Sequence, residues 1–210
     1  MGAVLLAALP SIAHADDGQV WITAGARGPV AGRVELGVET IERFGRDGEN
    51  GLYESENIAM LGYRFDHATL AAGYVRDIVY QGGGVAIEQR ARQDLTVDRI
   101  AAIGPVRIGA RMRVEERWRD GLGGTGVRLR PFVRLMLPVA GKLSLLASHE
   151  SFINLGGGAG QRCGYDRARN FLGLGVPLIK GVGVEFGYLN HWTRNARTVG
   201  AAAFTLAIRW

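Results

Sequence analysis

His149 and Ser151 stand two residues apart in a stretch, Leu143 to Asn154, whose apolar residues recur at every second position. On a strand that spacing puts both side chains on one face, close enough for an imidazole to take the hydroxyl proton and leave the serine a nucleophile. The pair follows Leu143, Leu145 and Ala147 on the apolar face, at the end of the strand that leads into a long loop. Chemistry at such a place is hydrolysis of an ester carried in lipid. It also needs oxyanion donors and an acid to orient the imidazole. Spacing locates neither: no Glu is clearly placed, and Glu150 falls on the opposite face. The first expectation is therefore no catalytic residue, with His149 and Ser151 as polar side chains at headgroup level. A hydrolytic pair is the alternative.

The larger constellation is ionic. Val106, Ile108, Ala110, Met112, Val114 and Trp118 share one face of a strand while Arg107, Arg111, Arg113, Glu115, Arg117 and Arg119 share the other. Arg128, Arg130 and Arg134 repeat the pattern against Val127, Leu129, Val133, Leu135 and Leu137, and Arg167, Arg169 and Glu185 continue it. Glu35, Glu39, Asp94, Asp98, Glu115 and Glu150 fall on the same side. A charge facing lipid near mid-bilayer costs roughly 2 to 4 kcal/mol, which assigns the charged face to an interior. Two outcomes follow for these residues. They form a structural plug of Arg–carboxylate pairs, or, because arginine is in excess on 105 to 119 and 126 to 138, a narrow, porin-like, anion-preferring conduit.

Other chemistries are not indicated. His67 and His191 have no Cys, Asp or His at ligand spacing, so no metal site is expected. Gly156, Gly157 and Gly158 lack the Lys-Ser/Thr and helix of a phosphate loop, so no cofactor is expected either. Of the 25 basic residues all but Lys142 and Lys180 are arginine, and they alternate within strands rather than gathering in a patch or arm. That arrangement argues against nucleic acid as a partner. Cys163 is the single cysteine, which precludes a disulfide within the chain.

The elements that must hold these residues are strands. Eleven candidates occur, at about 19 to 27, 33 to 44, 57 to 66, 69 to 80, 87 to 99, 105 to 119, 126 to 138, 142 to 154, 166 to 178, 182 to 194 and 199 to 210. Strands 69 to 80 and 87 to 99 alternate less cleanly, and a bulge is expected in one of them. Tight turns near Gly28 to Gly32, Asp66 to Ala68, Ile103 to Pro105, Pro138 to Gly141 and Lys180 to Gly181 alternate with longer loops at Gly45 to Glu56, Gln81 to Ala86, Asp120 to Thr125, Leu155 to Tyr165 and around Asn195. With 32 glycines, 21% charged residues and mean hydropathy near zero, the pattern predicts an all-β, antiparallel transmembrane barrel of about 10 to 12 strands. Eleven conflicts with the even count that antiparallel closure requires. Either Gln19 to Arg27 crosses the lumen of a ten-strand barrel, or one strand is missing from the tally and there are twelve, the reading slightly favoured.

The two ends carry signals of destination. Ala3 to Leu9, Pro10 and Ala13-His14-Ala15 form an apolar run, a break and a small-residue cleavage site, a signal peptide over residues 1–15, although no basic residue precedes the run. Residues 16–210 then form one barrel domain. At the other end Ala202, Phe204, Leu206, Ile208 and Trp210 make a stripe that stops on an aromatic. Phe204, Leu206, Ile208 and Trp210 resemble the terminal signal read by the bacterial barrel-assembly machinery. The expected location is the outer membrane of a Gram-negative bacterium, as a monomer, with outer-membrane lipid and that machinery as partners.

Two resemblances add to this. Arg111 to Arg117 (RMRVEER), Val127 to Leu135 (VRLRPFVRL), Glu150 to Asn154 (ESFIN), Tyr165 to Val176 (YDRARNFLGLGV) and Val184 to Leu189 (VEFGYL) resemble the domain-of-unknown-function family twenty-four ninety. The resemblance implies an exported outer-membrane barrel and no particular activity. His149-Glu150-Ser151 resembles the His-x-Ser of the outer-membrane lipid A 3-O-deacylase, a shorter, eight-strand barrel. That likeness implies His149 as base and Ser151 as nucleophile toward the outer leaflet.

Overall fold

The computed structural model describes residues 18–46 and 49–210, so the expected signal peptide, residues 1–15, lies outside the described residues. The described chain is all-β. Its strands are β1 (Gly18–Ala31), β2 (Val34–Arg46), β3 (Glu49–Arg64), β4 (Ala68–Gln81), β5 (Gly84–Ile103), β6 (Val106–Arg119), β7 (Gly126–Ala140), β8 (Leu143–Asn154), β9 (Gly164–Ile179), β10 (Val182–Thr193) and β11 (Val199–Arg209). Each pairs with its sequence neighbours, and β1 pairs with β11 to close the barrel.

The count is eleven, which corrects both the ten- and the twelve-strand reading. Closure is parallel, in unbroken register from Gly18 opposite Gly200 to Arg27 opposite Arg209. A parallel ladder satisfies backbone N–H and C=O groups as an antiparallel one does, so an odd count leaves no open edge. Gln19 to Arg27 accordingly belongs to the wall, between β11 and β2, and does not cross the lumen. All the other pairs are antiparallel as expected.

Loop lengths depart from expectation on one side of the barrel. β3 begins at Glu49, inside the stretch assigned to a long loop, and Gln81 pairs with Gly84 across a two-residue turn. That turn is Gly82-Gly83, with φ of +52° and +84°, the left-handed pair that a tight hairpin needs and that glycine adopts without a Cβ clash. The remaining long connections, at 120–125, 155–163 and 194–198, share one rim, and the expected bulge interrupts β5 between Val97 and Ala101. Asp98, expected among the inward carboxylates, lies exposed in it.

The burial pattern inverts that of a water-soluble protein. Leu36, Val38, Leu61, Leu70, Leu95, Leu135, Leu172, Phe186 and Phe204 are exposed on the outer face. Arg113, Glu115, Arg117, Arg128, Arg130 and Glu150 are buried inside, beside a smaller apolar group of Val75, Leu146, Phe152 and Trp21. The terminal stripe Phe204, Leu206, Ile208 and Trp210 lies on the outer face, each residue exposed.

Trp210 finishes the seam. Its N–H donates to the Arg27 carbonyl at 3.3 Å, and a Cβ on Gly28 would stand 2.6 Å from its ring. Gly28→Val should therefore push the indole off the seam and cost about 1 to 3 kcal/mol. The expected outcome is a lower urea midpoint for the gel-mobility shift of the folded barrel, with Gly18→Ala, which meets nothing within 4 Å, unchanged. An unshifted midpoint in Gly28→Val would refute the packing of Trp210 on this seam.

Candidate functional site

On the outer face, β8 and β9 bring three polar side chains together. The register sets His149 opposite Asn170 and Ser151 opposite Ala168, and alternation turns His149, Ser151 and Asn170 outward. Asn170 Oδ1 is 2.7 Å from His149 Nδ1, and His149 Nε2 is 2.8 Å from Ser151 Oγ. An amide oxygen only accepts, so Nδ1 carries the ring proton; Nε2 of the neutral imidazole is then the acceptor for the serine hydroxyl. Ser151 Oγ is also 3.4 Å from the Tyr165 hydroxyl, and the Tyr165 ring tilts against Trp192 with centroids 5.6 Å apart.

This arrangement supplies the orienting group that sequence reading lacked. The sought residue was an acid near the His-x-Ser; the observed one is an amide 21 positions away, brought opposite His149 by strand pairing. Glu150 points inward, as expected, and takes no part. One step along the strands toward the short turns, the outer face is apolar. Leu135, Ala147 and Leu172 are register neighbours, and Leu137, Leu145 and Leu174 form the next row. The site thus sits at the upper edge of a greasy wall, with Asn190 beside Asn170. A serine, a base and an orienting amide in hydrogen-bonded series can open an ester by acyl transfer.

The inward residues expected to form a charge network are joined as follows. Arg130 donates to Glu115 at 2.6 Å and to Glu150 at 3.0 Å, and Arg111 donates to the other Glu150 oxygen at 2.6 Å. Arg117 grips both oxygens of Glu88 at 2.8 and 2.7 Å, and Arg113 grips Asp94 at 2.7 and 3.0 Å. Arg128 reaches Asn154 at 2.8 Å and Asp166 at 3.0 Å. Arg134 reaches Glu185 at 2.7 Å. Arg167 pairs with the adjacent Asp166 at 3.1 Å, whereas Arg169 lies over the rings of Trp21 and Phe152.

Part of the network was missed. Arg43 pairs with Glu54 and Glu56, Arg90 with Glu56, Asp77 and Glu88, and Arg92 with Asp94. Glu88, Arg90 and Arg92 alternate in the sequence with Asp94, which was expected to face inward, and that signal could have found them. Glu54, Glu56 and Asp77 bring carboxylate oxygens within 4.8 Å of one another, a spacing that a metal could use. Arg43 and Arg90 between them already pair with all three, so the donor set is spoken for by guanidinium.

Glu115 is wholly buried and its ion pair is with Arg130. Arg130→Met should strand that carboxylate and cost about 3 to 5 kcal/mol, while the double change Arg130→Met/Glu115→Met should recover most of the loss. Urea midpoints of the three proteins measure this. Equal midpoints for the single and double variants would show that the pair does not hold the lumen together.

The comparisons with known proteins agree with the resemblance in the β6 to β10 motifs. The chain is 32% identical over 188 residues to an uncharacterized protein of Methylorubrum extorquens, a match that covers 85% of this chain and 79% of that protein. The model of a protein family of unknown function, DUF2490, matches residues 18–200, from the first residue of β1 into β11. The chain therefore belongs to the DUF2490 family.

Proposed function

We propose that this protein is an outer-membrane barrel whose outer surface carries a serine hydrolase site for ester-linked acyl chains of the outer leaflet. The observation that carries the reading is the hydrogen-bonded series Asn170–His149–Ser151 on the outward face of β8 and β9. Ser151 Oγ attacks the acyl carbonyl as its proton passes to His149 Nε2. The resulting imidazolium is held through Nδ1–H by Asn170 Oδ1. Collapse of the tetrahedral adduct breaks the ester bond, and the departing alkoxide takes the proton from Nε2. Water, deprotonated by the same nitrogen, then attacks the acyl-serine; the acyl–Oγ bond breaks, Ser151 Oγ takes the proton back from Nε2, and a fatty acid is released. Tyr165, whose hydroxyl is 3.4 Å from Ser151 Oγ, can donate to the carbonyl oxygen.

The membrane setting is supported by where the outer face changes character. Exposed apolar side chains give way to Thr40, Asn57, Arg76 and Gln89 along one register row, and to His149, Asn170 and Asn190 along another. Trp118, Tyr165 and Trp192 lie toward the long loops, and Tyr63, Phe65 and Trp210 toward the short turns, as two aromatic girdles would. Short turns are the periplasmic side of such barrels, an orientation that supports an outer-leaflet position for the triad. A monomer in contact with outer-membrane lipid, delivered by the assembly machinery through its terminal stripe, completes this reading. The ion pairs packed through the lumen favour a rigid scaffold over an open conduit.

Incubation of the folded protein with lipid A or phospholipid in mixed micelles, followed by mass spectrometry, tests the proposal. The expected result is release of free fatty acid, with Ser151→Ala and His149→Ala each slower by about 10³-fold or more. Asn170→Ala should lose less, since it orients the base without touching substrate. Intact lipids, or a rate unchanged in Ser151→Ala, would overturn the assignment.

A further inference from the structure

We infer that the loop end of the lumen is a binding pocket for a soluble phosphate-type oxyanion, separate from the outer-face triad and independent of its chemistry. A cavity of about 340 Å³ opens there, within the size range of small-molecule sites. Eight arginines line it against five carboxylates. The imbalance is not spread evenly. On the wall made by β2 to β5, Arg43 and Arg90 are matched by Glu54, Glu56 and Asp77, and Glu88 gathers Arg90, Arg117 and Arg119.

The opposite wall lacks that balance. Arg128 and Arg167 share the single carboxylate of Asp166. Arg169 makes no ion pair among the described residues. Its guanidinium carbon lies 4.8 Å from the Trp21 ring centroid and 4.9 Å from that of Phe152, and its Nε is buried without a hydrogen-bond partner. Aromatic contacts stabilise a cation without neutralising it or satisfying its N–H groups. A buried guanidinium with an unpartnered N–H is costly to leave without a counter-ion. The missing partner is an anion with several oxygens, since the planar fork of arginine matches phosphate in a bidentate way and two forks, Arg167 and Arg169, sit two residues apart on the inward face of β9.

The source of the anion follows from the position of the pocket. It lies inside the barrel at the rim of the long loops, where Leu122 and Asp120 of the β6–β7 loop contribute to the lining. Lipid headgroups meet the outer face, so the ligand is a soluble phosphate or phosphate monoester that enters from the aqueous side. Blocked below by the Arg130, Glu115 and Glu150 cluster, the pocket binds rather than conducts.

Calorimetric titration of the folded protein in uncharged detergent tests this, with sodium phosphate and glycerol phosphate at ionic strength matched by sodium chloride. Saturable binding near one per chain is expected, weakened about 10-fold or more by Arg169→Gln and by Arg167→Gln. Arg33→Gln, at the exposed turn end, should bind as the parent does. The gel-mobility shift reports folding of each variant; if Arg169→Gln does not fold, Arg167→Gln decides. Absence of saturable heat, binding by the Arg167→Gln and Arg169→Gln variants as tight as the parent's, or binding confined to vesicles containing phosphatidic acid would overturn the inference. Ser151→Ala should bind phosphate normally, so failure of the hydrolase reading leaves this result unaffected.

Discussion

A strand sends its side chains to two sides in strict alternation, and closure gives every strand in the chain the same inside and the same outside. The rest of this structure follows from how the sequence uses those two sides. Its apolar residues are spent on the exterior, so the interior must be packed from what remains, and that is largely arginine and carboxylate. Such a core is held by geometry. Each ion loses hydration on entering the lumen and recovers it only where partners meet its donors and lone pairs in the right directions. Arginine suits the task better than lysine because its five donors lie in one plane and stay charged, and the network shows guanidinium groups bridging two carboxylates, as Arg130 does.

Side-chain faces were legible in the sequence wherever alternation was clean. From β6 to β8 each assigned face matches the structure, and the inward direction of Glu150 and outward direction of His149 and Ser151 followed from parity alone. Pairing between strands was not legible. Asn170 meets His149 because β8 and β9 are joined through a nine-residue connection with a bulge beside Ile153, and neither feature has a sequence signature that fixes the register. The carboxylates of β3 and β4 were hidden for a related reason. Val75 and Ile58 share the inward face with Asp77 and Glu56, which blurs the contrast between the two sides. Parallel closure was missed because the even-count rule is a statement about antiparallel seams, and composition does not reveal which kind of seam a chain makes.

Polar side chains on an apolar wall need a local reason to be there. His149, Ser151 and Asn170 satisfy one another in series, which limits the cost of presenting them outward and also fixes the tautomer that a base requires. The same sheet therefore carries two unrelated polar systems on its two faces. Arg169 and Asn170 are adjacent in sequence, one stacked on Trp21 in the lumen and the other bonded to an imidazole outside. Through-sheet separation of this kind lets a rigid interior hold an exterior site in place while sharing none of its groups.

The parallel seam has a consequence for the two ends of the barrel wall. In a barrel of even count they emerge at one rim, where a short linker can join them. Here β1 and β11 run in the same direction, so Gly18 stands at the rim of the long loops and Trp210 at the rim of the short turns. Joining them would take a segment long enough to travel the full height of the wall, which rules out simple circular permutation. It also gives the molecule a built-in polarity: a peptide fused ahead of Gly18 and another fused behind Trp210 would find themselves on opposite sides of any layer that the barrel crosses.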